Sequence, residues 1–256
     1  MTYCLVAAGI AIGRTYAKVI VEVTMPEIPG PRTDQVGYDA AHSESLRRFA
    51  QIQNGTECIF APTANMWGCP AYDDRLSLTA NLREWLALFT LFCRVSGILK
   101  IDGLVFEFPG HFGDTVETLG RTTLQALDYL STNDPLGARC MERNVEDSTW
   151  WFSFGGEKLF VLTFGPCYPI TNSRYGFQTS CSYLVFQPIH AFSRHLPDGD
   201  VGKSRRSREE IRLRYTNAGR PYDLAITLSP YEAHRYVKPA QAGQPPVTWW
   251  RKQADG

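Results

Sequence analysis

The glycine pair at 155–156 constrains this chain most. It separates two apolar runs, Trp150–Phe154 and Lys158–Phe164. Glycine reaches positive φ at little steric cost, and the two-residue turns that join antiparallel strands require such backbone. The pattern predicts a β-hairpin. Further strands are expected over Ser180–Phe186 and Leu99–Phe108, and the short apolar run Cys58–Ala61 reads as a strand end.

Helical periodicity frames these strands. Ser43 is placed to cap a helix running to about Gln53, with Leu46, Phe49, Ala50 and Ile52 as its apolar positions. The clearest helix is Thr79–Val95, with Leu82, Trp85, Leu86 and Phe89 in register and Gly97 as its stop. Thr115–Leu130 reads as another. Residues 62–76 read as loop, and so does the basic run of Asp198–Arg208. Ser207 and Glu210 form a capping-box pattern opening a helix to about Asn217. The fold class expected is α+β (mixed α/β), a single domain with a hairpin-built central sheet flanked by helices. An N-terminal segment over 1–35, a domain over 36–238 and a flexible tail over 239–256 are expected. Residues 1–24 read either as a strand pair or as sequence ahead of the true start. The prolines and glycine of 25–41 read as a linker.

Composition narrows the function classes. At 256 residues and 44% hydrophobic, the chain can bury a core without staples. Twenty-six Lys and Arg balance twenty-six Asp and Glu, which argues against a nucleic-acid partner. Seven cysteines without a CxxC pair fit reduced thiols in a cytoplasmic protein better than a disulfide framework or a structural zinc site. No run of about 18 apolar residues predicts a membrane span. No phosphate-binding loop, GxGxxG, GxSxG, HExxH or EF-hand loop is present.

The densest unusual stretch follows the hairpin, running from Phe164 through Gly165-Pro166-Cys167-Tyr168-Pro169 to Arg174-Tyr175. Two prolines three residues apart stiffen the backbone around Cys167 and Tyr168, and rigid loops at strand ends commonly carry site residues. Cys167 is read as a soft ligand, a nucleophile or a buried space-filling thiol. Arg174 is read as a carboxylate partner or a member of a surface ion pair.

These residues carry a resemblance. Trp150 through Val161 resembles the FSFSxGGxxFFV segment of the YqcI/YcgG family, and Gly165-Pro166 with Arg174-Tyr175 falls on its HPxSSRxxRRF stretch. Leu184-Val185-Phe186 with Phe192 matches LVFNxxxxF, Glu57–Ala61 resembles PCxxA, and Leu124–Asp134 resembles a helix ending in LxxxD. Ile211-Arg212 to Tyr236 resembles IRxR…EAxxY. The likeness covers about residues 43–237. It implies a haem-dependent oxygenase that uses O₂ and an external reductant, supplied in some cases by an electron-donor protein. The substrate implied is a nitrogen of a small amine, guanidine or amino-acid-type metabolite in natural-product biosynthesis.

Two positions depart from the family. Gly165 stands where many members carry histidine, and Asn172 stands where others, reading PCYPxxHxRY, carry one. The resemblance then leaves Cys167 as the first candidate for iron ligation, with His111 and His190 as alternatives. His42, His195 and His234 read as surface residues. Arg174 is assigned to a propionate or a substrate carboxylate, and Tyr168 or Tyr175 to a catalytic hydrogen bond. Trp151, with Trp67 and Trp150, is expected in the pocket wall. Asp73, Asp74 and Glu107 are candidates for anchoring a substrate amine. Two other classes stay open: a haem or small-molecule binding protein without turnover, and a cofactor-free enzyme with Cys167 as nucleophile.

Overall fold

The computed structural model describes residues 7–12, 15–20, 38–195 and 201–251. Its chain divides between Gly37 and Tyr38 into two units. In the first, β1 (Ala7–Ile12) and β2 (Thr15–Ile20) pair antiparallel, the strand-pair reading of this segment. Residues 25–37 of the expected linker lie outside the described residues, and Ala40 and Ala41 open a short 3₁₀ helix, Ala40–His42.

The second unit is built on a five-stranded mixed sheet, in agreement with the α+β expectation. In chain order its elements are α1 (Glu44–Gly55), β3 (Met66–Gly68), α2 (Leu78–Leu99), β4 (Gly103–Pro109), α3 (Val116–Thr132), β5 (Ser153–Phe154), β6 (Glu157–Phe164), β7 (Cys181–Pro188), α4 (Ile189–His195), α5 (Val201–Asn217) and α6 (Leu224–Thr227). The strand order is β3-β4-β7-β6-β5. Only the β3–β4 pair is parallel; the other neighbours are antiparallel.

The Gly155-Gly156 hairpin forms as read. Both glycines have positive φ, 58° and 85°, the mirror-image turn that matches strand twist. Its first strand is shorter than the apolar run: Trp150 and Phe152 bury their rings in the core, and Phe152 keeps one backbone bond to the partner strand, from the Leu159 N–H. Ser43 caps α1 through its hydroxyl, which accepts from the Leu46 N–H.

Four expectations change. α2 runs through Gly97 to Leu99 and ends at Lys100, which takes the left-handed conformation at φ 54°. Its buried face continues through Phe92, Cys93 and Ser96, and that packing outweighs the roughly 1 kcal/mol cost of an interior glycine. Cys58–Ala61 is a turn opening a 3₁₀ helix over Ala61–Thr63, while β3 forms within the stretch read as loop. α5 begins at Val201, inside the expected polar loop. Its charges pair one turn apart, Arg205 with Glu209 and Arg214 with Glu210, so a charged run can be an exposed helix. The segment after Lys238 does not behave as a free tail through Arg251. Trp249 is buried, donates from Nε1 to the Ala233 carbonyl at 2.8 Å, and stacks on Tyr236.

Side chains alternate across the strands. One sheet face carries Leu104, Phe106, Phe108, Leu159, Val161, Leu184 and Phe186, and packs with the apolar faces of α2 and α3. Phe89 of α2 meets Phe154 and Phe186 edge-on at centroid distances of 4.8 Å each. The opposite face carries Val105, Phe164, Tyr183 and Val185 against Phe49 and Ile52 of α1. Where α1 ends, this second face opens into a cavity.

Candidate functional site

The cavity has a volume of about 300 Å³, at the lower end for ligand sites. Its floor is the outer face of the hairpin-built sheet, with Phe160, Leu162 and Phe164 of β6 and Val185 and Gln187 of β7. Its walls are α1, the turn through Cys58 and Phe60, Phe192 of α4, and Tyr215 of α5. The stretch from Tyr222 to Lys238 completes them. The lining is aromatic and aliphatic with a few polar groups converging on it.

Those groups sit together. The Tyr215 and Thr56 hydroxyls hydrogen-bond, and the Tyr215 and Tyr222 rings lie 4.7 Å apart. Burial raises the pKa of both phenols, and the neighbouring Cys58 sulfur raises them further, while Arg174 acts in the opposite direction. Arg174 lies over the Phe164 ring at 5.6 Å and donates from Nη2 to the Arg235 carbonyl at 3.1 Å. Its Nε has no acceptor among the described residues. Lys238 lies 4.6 Å from the Tyr222 ring centre and donates from Nζ to Ser173 Oγ at 3.0 Å. Burial holds its pKa well below the ordinary lysine value, and Arg174 lowers it further. Arg235, also in the lining, pairs with Glu232 instead.

The loop after β6 divides between the two cores. Arg174 and Ser173 reach the cavity, whereas Cys167 and Tyr168 turn to the opposite core. Cys167 is half-buried; its N–H donates to the Gly113 carbonyl at 3.0 Å. Burial pushes its thiol up to about 12, and Glu117 and Asp114 add to that, against thiolate formation. The Tyr168 hydroxyl is bound within the core to the Lys238 backbone. Tyr175 packs on Phe177 and under Arg220, beside the cavity lining rather than in it.

The remaining sequence candidates scatter. His111 is exposed on the 3₁₀ turn after β4 and rests on Phe112. His190 lies 3.1 Å from Ser96 Oγ through Nε2 and 3.2 Å from Arg194 Nη1 through Nδ1. A guanidinium only donates, so Nδ1 is the acceptor and Nε2 carries the proton. Nε2 therefore donates to Ser96 Oγ, and the ring does not act as a base on that hydroxyl. Trp151 is half-buried, Trp150 is buried in the main core, and Trp67 packs against that core; none lines the cavity. Asp73 pairs with Arg75, and Glu107 is clamped by Arg48 with 2.6–3.0 Å bonds. Neither these nor Asp74 faces the cavity.

Gly165 and Asn172, at the two positions where the resemblance implies histidine, each have a local structural role. A Cβ at Gly165 would lie 2.9 Å from the Gly113 carbonyl oxygen, so the close approach of two backbones leaves no space for a side chain. Asn172 donates from Nδ2 to the carbonyls of Pro239 and Ala240 and accepts from the Arg174 N–H at 2.8 Å. It ties the loop to the segment that carries Lys238.

Sequence reasoning missed Cys58, Tyr215, Tyr222 and Lys238 as cavity residues. One signal was present. β6 carries large apolar side chains at alternate positions on both faces, as expected of a strand covered on both sides.

No group of three or more potential metal ligands occurs among the described residues, and no described helix is long and apolar enough to cross a membrane. No curated protein and no solved structure gives a match. A profile of the YqcI/YcgG family matches residues 57–238, a span that takes in the hairpin, the loop after it and every cavity residue from Cys58 to Lys238. With well over half of its length matched, the chain belongs to the YqcI/YcgG family.

Proposed function

We propose that this protein is a haem-dependent oxygenase acting on a nitrogen of a small metabolite. The observation that carries the reading is a thiol, Cys58, in the wall of an aromatic-lined cavity that also holds the buried, carboxylate-free cations Arg174 and Lys238. A haem iron would need a single donor side chain from the protein, and Cys58 would hold it. The chemistry of the lining suits such a group: Cys58 would be the soft donor, the rings of Phe49, Phe160 and Phe164 offer flat apolar surface, and the Arg174 guanidinium in the lining suits an acid group.

Bound haem would supply activation of O₂ with electrons from an external donor. The chain's own part is to orient and to exclude water. The sheet floor and the α1 and α5 walls shield the cavity, and the Tyr215 and Tyr222 hydroxyls, kept protonated by burial, remain hydrogen-bond donors. The reading of Cys167 as a nucleophile draws no support from its protonated, core-facing thiol.

The test is an absorption spectrum of protein expressed with haem precursor, then reduced under CO. A Soret band red-shifted as for thiolate ligation is expected, and Cys58→Ser is expected to abolish that signature while Cys167→Ser leaves it intact. Product formation dependent on O₂ and reductant separates an oxygenase from a haem carrier. No Soret band at all overturns the proposal.

A further inference from the structure

Arg174 and Lys238 are 6% and 5% exposed, yet neither forms an ion pair with a carboxylate among the described residues. Buried charges are ordinarily paired, because an isolated one loses its hydration without compensation. Here the two cationic side chains come from distant parts of the chain and line one cavity, with the Ser173 hydroxyl beside Lys238 Nζ. The arrangement is held in place from behind. Asn172 fixes the Arg174 backbone, and Tyr168 fixes that of Lys238. Asp223 acts on Lys238 electrostatically, but its oxygens cap α6 and accept from the Gly243 N–H.

We propose that Arg174, Lys238 and Ser173 form a carboxylate-binding site in the cavity, so that the molecule held there is an organic acid with an apolar or aromatic body. A carboxylate matches the planar fork of a guanidinium and leaves its second oxygen for the ammonium. The apolar body would lie over Phe160, Leu162 and Phe164. Resting on the oxygenase reading above, the acid is either a substrate carboxylate, of amino-acid type, or a haem propionate.

The experiment is calorimetric titration of the full-length, haem-free protein with phenylacetate and with its neutral isostere phenylacetamide. Phenylacetate is expected to bind at least about tenfold more tightly, the scale of a hydrogen bond to a charged group. That margin is expected to vanish in Arg174→Gln and to shrink in Lys238→Met, with near-ultraviolet circular dichroism confirming the fold. Equal binding of the two probes, binding of neither, or an acid preference that survives both substitutions overturns the site. Repeating the titration after haem loading separates the sources: lost phenylacetate binding assigns the pair to a propionate, and retained binding assigns it to the substrate. Absence of a Soret band with the acid preference intact would sink the oxygenase reading and leave this site standing.

Discussion

The Tyr168 hydroxyl and the Lys238 backbone form a closed pair of hydrogen bonds. The phenol donates to the Lys238 carbonyl and accepts from the Lys238 N–H, both at 3.0 Å. A residue that the loop sequence suggests as catalytic thus positions the segment carrying a cavity cation. Tyr168→Phe removes both bonds and leaves a buried N–H and C=O without that partner. We expect a loss of about 1–3 kcal/mol in urea unfolding, together with weaker phenylacetate binding through a displaced Lys238. Unchanged stability and unchanged binding would contradict this role.

Gly165→His would place histidine where the resemblance implies one. The Gly113 carbonyl lies 2.9 Å from the position of the new Cβ, so the backbones must separate. We expect destabilisation of about 1–3 kcal/mol, the usual scale of overpacking. Haem ligation should not change. A stable variant with a histidine-type reduced-CO spectrum would show that the loop can open at small cost.

Trp249 anchors the C-terminal segment by its burial and by its indole bond to Ala233. Trp249→Ala should cost about 3–5 kcal/mol in denaturant unfolding. Because Trp249 ties its segment to Ala233 and Tyr236, limited proteolysis of the variant should cut after Lys238 well before the wild type is touched.

Lys238 carries a pH dependence. Its ordinary value is 10.5 and its folded value lies well below that, with burial the main cause and Arg174 adding to it. The unfolded chain therefore binds more protons than the folded one throughout the interval between the two values. Stability should rise with pH across that interval and fall as pH drops toward the folded value. Lys238→Met should flatten this slope in melts recorded from neutral to alkaline pH. Phenylacetate binding should show the reverse trend, tightening as pH falls, because a bound carboxylate favours the charged ammonium. A slope that persists unchanged in the variant would assign it to other groups.

Local order was legible in the chain itself. The Gly155-Gly156 turn, the Ser43 cap and the periodic apolar faces of α1, α2 and α3 depend on neighbours a few residues away, so residue type and spacing specify them. Arg174 could be singled out as a candidate site residue for a similar reason, since its chemistry belongs to the side chain alone, and it lines the cavity. Which way each member of the 164–175 loop points was decided elsewhere. Cys167 and Tyr168 face one core and Ser173 and Arg174 the other because Gly113 meets the loop on one side and Pro239–Ala240 on the other. Cys58, Tyr215, Tyr222 and Lys238 share a cavity only because α1, α5 and the C-terminal segment close over the second face of the sheet. Those contacts span up to 180 residues of chain between Cys58 and Lys238. Pattern along a sequence records which face of an element is apolar, but packing of distant elements determines what that face meets, and the site is a product of the packing.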